Sequence, residues 1–538
     1  MGAVESCGAT VGIPPGRGAA GREYRADGVS PASHVPRRTC RLAAPARENC
    51  ACGAAHDRSS RRRGRGWGIS AARVGGGAGV TALSEGTPAG SVKVGDRQRS
   101  LPVFPRRIPA RPLNRGMCTS PRATGLMLFV IFCVGSSAGE WPEFRGPGGQ
   151  GVAHAADLPV KWSQGENVMW RRPVPGLGWS SPVVGGGRIF LTTGVADAEG
   201  APSLRVVALD LASGRMLWDV EVFPPGETGR ASMHKKNSPA SPTPVLHEGR
   251  LYVHFGHFGT ACLDREGRIL WRNNRFRYEP EHGNGGSPIV VGDRLVFSAD
   301  ARTDPALVAL DRHTGELAWR SPRDLEVRQK FSFATPLLID VAGRPQIVCP
   351  ASGAVIAHDP ADGREIWRVR YGGGYSLIPR PVFAHGLLFI GTGYNRADLL
   401  AIRVDGATGD LTDTHIAWRT TKGAPLTPST VVVGDELYAV SDMGVATCFD
   451  ARTGTVHWQE KLEGGYSASP LAAAGRVYFQ SESGVGTVVE AGKSFRRLAH
   501  NPLGERTLAS LAVVDGTLIL RSEHAVYRIG SPTGGTAR

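Results

Sequence analysis

The chain has 538 residues, with 72 glycines, 7% aromatic side chains and a formal net charge of +15. That charge is concentrated: residues 1–116 hold 20 basic against seven acidic side chains, a net +13, while the other 422 residues net +2. The near-neutral remainder excludes general attraction to a phosphate backbone over that part of the chain, and the glycine content suits many short strands joined by tight turns.

Residues 1–116 are rich in Arg, Gly, Ala and Pro, as in Arg61-Arg62-Arg63-Gly64-Arg65-Gly66. No apolar period persists there, so the stretch cannot bury enough apolar surface to offset chain entropy. It is expected to be a disordered basic extension or a mis-assigned start, in preference to a nucleic-acid-binding tail. Residues 117–139 have the outline of a secretory signal: Arg122, an apolar run from Leu126 to Val134, then the small residues Ser137, Ala138 and Gly139. The run is short for a membrane span. An export signal belongs at an N-terminus, which points to Met117 or Met127 as the start. Phe132 is bulky for the position before a lipidated Cys133. Residues 140–166 read as a lead-in, 167–530 as the folded body and 531–538 as a flexible tail.

The body is a set of repeats. Each unit opens on a small residue, then has a short apolar strand, a Gly turn, a second strand, a third often ending in Leu-Asp, and a turn closing on Trp. The closing residues Trp218, Trp271, Trp319, Trp367, Trp418 and Trp458 are spaced by 53, 48, 48, 51 and 40 residues. Apolar runs of four to seven residues with alternation make about four antiparallel strands per unit, which is one propeller blade. The unit Ala468–Ala499 lacks its Trp, with Phe495 or Arg496 in that place, and the last unit, Ser510–Ile529, supplies three strands. The missing strand is expected from Asn167-Val168-Met169-Trp170, which would close the ring and remove two exposed edges. The fold class is therefore all-β: an eight-bladed β-propeller of four-stranded antiparallel blades, closed by an N-terminal strand. Trp170 and the six closing tryptophans are read as structural, filling wedges between blades.

These residues resemble the PQQ-like repeat family, whose pattern is Ala-x-Asp-x-x-Thr-Gly-x-x-x-Trp. Ala208-Leu209-Asp210 to Trp218, Ala309-Leu310-Asp311 to Trp319, and His358-Asp359 to Trp367 match it. The resemblance implies the propeller, and it leaves two branches open: quinoprotein alcohol and sugar dehydrogenases, which hold pyrroloquinoline quinone and calcium, and BamB-like envelope proteins, which use the ring to bind other proteins. The segment Trp141–Val152 is also similar to exported PQQ-like repeat proteins of planctomycete-type bacteria.

The dehydrogenase branch implies calcium ligands, a base and often an adjacent cysteine pair. This chain has no adjacent cysteines and no Cys-x-x-Cys-His; of nine cysteines, Cys262, Cys349 and Cys448 fall after residue 140. No cofactor is therefore expected, with PQQ and calcium as the alternative. His254 and His257, with Glu248 and His282 nearby in sequence, read as a surface-and-turn pair, because i and i+3 on a strand face opposite sides. The Asp of each Leu-Asp is expected to cap the turn after it. The residues before the first strands are Ser181, Thr243, Ser287, Thr335, Arg380, Ser429, Ser469 and Ser510. Arg380 breaks a column of small hydroxyls, and Arg380, Tyr375, Asn284 and Tyr466 are the candidates for a channel-mouth site for an anionic group. The expected protein is an exported, monomeric scaffold, periplasmic or extracellular and more scaffold than enzyme. Its partner is an envelope protein, peptide or glycan, with no nucleic acid and no membrane span in the mature chain.

Overall fold

The computed structural model describes residues 139–531 apart from 156, 229–232 and 396. The expectations for 1–116, and all of the signal segment but Gly139 and of the tail but Ser531, lie outside these residues. Among the described residues no helix is long and apolar enough to cross a membrane.

Eight antiparallel sheets follow one another around an axis, each made of four strands as expected. Blade 1 is Val183–Gly185, Arg188–Ala196, Pro202–Asp210 and Met216–Phe223. In most blades the second and third strands are buried on both faces, because each is sandwiched between neighbouring blades; Leu387–Gly391 is buried at all five positions. Fourth strands lie at the rim and alternate instead, as in Arg497–Pro502. The ring closes as expected: Val168–Pro173 pairs antiparallel with Ala525–Ile529 and completes blade 8. Two blades gain a parallel fifth strand. Val152–Ala153 joins Leu471–Ala473 of blade 7, and Gly409–Asp410 joins Glu365–Arg370 of blade 4.

The tryptophans join blades at the rim. The indole N–H of Trp218 donates to Arg265 O of blade 2 at 3.0 Å, that of Trp271 to Arg312 O of blade 3 at 3.0 Å, and that of Trp319 to Pro360 O of blade 4 at 3.1 Å. Trp170, Trp418 and Trp458 do the same to Leu211, Ala451 and Gly492. Each ring needs room over the next blade's turn: a Cβ on Gly315 would lie 2.5 Å from Trp271 and one on Gly363 2.4 Å from Trp319. Trp367 departs from the pattern and donates to Gln346 Oε1 of its own blade at 2.8 Å. In blade 7 the register pairs Val488 with Ala499, the place Trp319 takes opposite Ala309. The expectation of Phe495 or Arg496 there is corrected to Ala499, because this unit's last turn is longer; Phe495 packs edge-on against Trp458 instead.

The turn aspartates cap as expected: Asp311 Oδ1 accepts from the N–H groups of His313 and Thr314, and Asp450 Oδ1 from those of Arg452 and Thr453. Cys262, Cys349 and Cys448 are buried free thiols, and burial pushes the Cys349 thiol up to about 11.

Candidate functional site: the axial cavity

The column of small hydroxyls has a structural cause. The backbone N–H of Ser181 donates to Thr243 Oγ1, Thr243 to Ser287 Oγ, and Ser287 to Thr335 Oγ1, each at 2.9 Å. Arg380 N–H donates to Ser429 Oγ, Ser429 to Ser469, Ser469 to Ser510, and Ser510 back to Ser181, at 2.9 to 3.1 Å. These seven links form a belt around the axis, with one side-chain oxygen from every blade but blade 5. A buried N–H without an acceptor is costly, so each first strand needs a short hydroxyl at this position. Blade 5 offers Arg380 in place of a hydroxyl, and the link from Thr335 is missing.

Arg380 is 3% exposed and turns to the end of the ring opposite the loops that lead into the first strands. Its Nε donates to Pro336 O at 3.1 Å, Nη1 to Phe144 O at 2.5 Å, and Nη2 to a Glu143 carboxylate oxygen at 2.9 Å. Glu143 and Phe144 belong to a strap, residues 141–153, laid across that end. Trp141 exchanges backbone hydrogen bonds with Val184 of blade 1, Pro142 O accepts from Leu246 of blade 2, Gln150 Oε1 from Phe383 of blade 5, and Gly151 O from Ala472 of blade 7. Glycine is required where the strap crosses Arg380: a Cβ on Gly149, at φ 69°, would sit 2.2 Å from the guanidinium.

Above the strap is a cavity of about 320 Å³. Phe144 is its floor and the belt hydroxyls line its waist. Along one wall run His234, His282, Phe333, Tyr375 and Tyr394. They form an aromatic arc with Phe331: His234–His282 centroids are 5.9 Å apart, His282–Phe331 5.4 Å, Phe331–Tyr375 5.4 Å and Tyr375–Tyr394 6.5 Å. Burial and the neighbouring His282 hold the His234 imidazole below its usual range. Thr427, Ser467 and Ala509 are among the opposite lining residues. Lys236 lines the cavity, and its ammonium meets Glu482 at 2.6 Å.

Of the four candidate residues, the structure places Tyr375 alone in this lining. Arg380 lies at the strap. Asn284 is buried, accepting from Tyr278 OH at 2.8 Å and donating to Phe255 O. Tyr466 is fully buried in the blade 6–7 core. His254 is also buried, not on the surface as expected: its Nδ1 lies 2.8 Å from Thr260 Oγ1 and its Nε2 3.3 Å from Tyr278 OH, while His257 meets Asn284. The aromatic arc, the Lys236–Glu482 pair and the strap were not found from the sequence. Their residues come from loops of unequal length, which carry no period.

Calcium with PQQ would need six to eight oxygen ligands, carboxylates foremost. Among the described residues the cavity lining contains no Asp or Glu, and no group of three or more His, Cys, Asp or Glu could hold a metal. This donor set does not fit PQQ with calcium.

Residues 202–417 and 403–535 match the family described as outer membrane protein assembly factor BamB. The chain belongs to that family, and its propeller is of the PQQ-like repeat type. The BamB of Kangiella koreensis is 31% identical over 129 residues, 24% of this chain and 30% of that protein. The 1-butanol dehydrogenase (quinone) of Thauera butanivorans is 30% identical over 138 residues, 23% of this chain and 22% of that one. The chain thus spans less than a third of either curated relative. Among solved structures, BamB from Moraxella catarrhalis shares 14% identity with a TM-score of 0.47, over 69% of this chain and 98% of that one.

Proposed function

We propose that the protein is an exported binding scaffold of the cell envelope, which engages a protein, peptide or glycan partner through the open end of its axial cavity and the surrounding loops. The observation that carries this is the cavity itself. It is floored by the strap and walled by hydroxyls and aromatic rings, with no Asp or Glu among its described lining residues. Large apolar side chains stand at or near the same end: Tyr394 is 40% exposed, and Met443, beside the cavity-facing Thr427 through Asp442, is 75% exposed. Exposed aromatic and Met side chains beside a polar rim suit protein recognition. Membership of a family described by outer membrane assembly supports a protein partner.

The test is affinity capture from envelope extracts by the full chain and by a Tyr394→Ala/Met443→Ser variant. A partner held by the native chain and lost by the variant is the expected result; equal capture by both removes these loops from the reading. Export is tested by the N-terminus of the mature protein, expected near residue 140. A quinone-dependent dehydrogenase is the alternative, favoured by the Thauera butanivorans relative. Titration with PQQ plus calcium is expected to leave the melting temperature unchanged; a saturable rise of several degrees would establish the alternative, because a native-state ligand must stabilise the fold.

A further inference from the structure

We infer that the axial cavity is a site for a carboxylate carried on an apolar or aromatic body. This deepens the scaffold reading and rests on the cavity being its binding site.

The first support is the belt. Each of its seven hydroxyl oxygens accepts a backbone N–H from the preceding blade. None of the seven O–H groups has a protein acceptor among the described residues, and all seven line the cavity. A hydroxyl that accepts from an amide is polarised and becomes a better donor. Seven such donors converge on one axis. The indole N–H of Trp179, in the same lining and 93% buried by its 7% exposure, also lacks a partner. The site therefore has donors to spare, so its ligand must be rich in acceptors.

Charge around the cavity gives the sign. Beneath Phe144 lie two buried guanidiniums, Arg380 and Arg145, and the carboxylate bound there is Glu143. Arg145 donates to Gln150 O and Thr430 O, and its Nε and Nη1 are unpartnered. A third buried guanidinium, Arg521, holds Ser180 O, Ser180 Oγ and Thr192 O beside the belt, all neutral acceptors. Burial, with Arg380 adding repulsion at Arg145, lowers both Arg145 and Arg521 to about 9, so both remain cations at neutral pH. Lys236 and Glu482 offset each other, and against Glu143 and Asp442, which accepts from Thr427 of the lining, the three buried guanidiniums leave one positive charge in excess, which favours an anion on the axis. The arc of His282, Phe333 and Tyr375 supplies the apolar wall. A cavity of about 320 Å³ matches one small ligand or the last residue of a chain.

Calorimetric titration of the full chain with 3-phenylpropionate and with 3-phenylpropionamide tests the inference. The acid is expected to bind saturably and the amide about tenfold more weakly, since charged acceptors make the stronger hydrogen bonds. Equal binding of the two, or no binding of the acid at about 10 mM, overturns it. Trp179→Phe removes one donor and keeps the belt intact; it is expected to weaken the acid about threefold and leave the amide unchanged. Unchanged acid affinity in Trp179→Phe counts against the site. Two tetrapeptides ending in Phe, one with a free and one with an amidated C-terminus, identify the source. Displacement of the acid by the free form alone assigns the site to a polypeptide end, and displacement by neither assigns it to a small soluble acid. Capture of an envelope partner by a protein that binds no acid would sink this inference and leave the scaffold reading standing.

Discussion

At the scale of single residues, the interior is demanding in specific places. Gly315 has φ 75°, and a Cβ there would meet Trp271 at 2.5 Å. Gly315→Ala is expected to destabilise the fold by about 2–4 kcal/mol, from crowding and left-handed backbone strain together, measured by denaturant unfolding. Asp300 and Arg323 form a fully buried ion pair at 3.1 Å, with Arg323 also touching His358 and Cys349. Removing the carboxylate with Asp300→Ala strands a buried cation and is expected to cost about 3–5 kcal/mol. His254 and His358 are held neutral by burial, each lowered to about 3. Unfolding restores their ordinary affinity, near pH 6.5, so below that pH the unfolded chain binds more protons. Stability is thus full above about pH 6.5 and falls as pH drops towards 3. Thermal unfolding between pH 7 and 5, above the carboxylate range, is expected to show this decline, and His254→Gln to make it shallower.

At the scale of elements, the closing strand and the strap do work that the repeats cannot. Deleting residues 510–538 leaves Val168–Pro173 without its partner and opens the ring; loss of the cooperative thermal transition is expected. Arg380→Ser would supply the missing acceptor for Thr335 but strand the Glu143 carboxylate and release the strap. Faster proteolysis near Gly148 is the expected readout, and a strap as resistant as before would show that Arg380 does not hold it. The strands were legible because burial imposes alternation and turns need Gly and Asp. The belt column was legible too, since one structural need recurs once per blade. The destination of Arg380 was not, because its partners lie 236 and 237 residues away in the chain. Nor were the positions of Asn284 and Tyr466, which stand in irregular loops where no period says which way a side chain faces.

At the scale of the whole molecule, residues 117–538 carry a net charge of +2, and a protein of residues 140–538 is expected to pass through a heparin column at moderate salt. The ring is also unequal around its circumference. Where blade 4 meets blade 5, the belt link from Thr335 and the rim link from Trp367 are both absent. Charged groups stand in for them: the Arg380 guanidinium reaching back to Pro336, and the exposed Arg370–Asp410 pair at 2.9 Å beside the extra strand. A closed hoop with identical joints shares a load evenly. Because an exposed ion pair is screened by salt, the share of this joint's stiffness that Arg370–Asp410 supplies falls as ionic strength rises. Hydrogen exchange in rising salt is therefore expected to quicken at Leu337–Val341 and Val382–Ala384, the first strands on either side of the joint, which makes this a radius along which salt would loosen the ring.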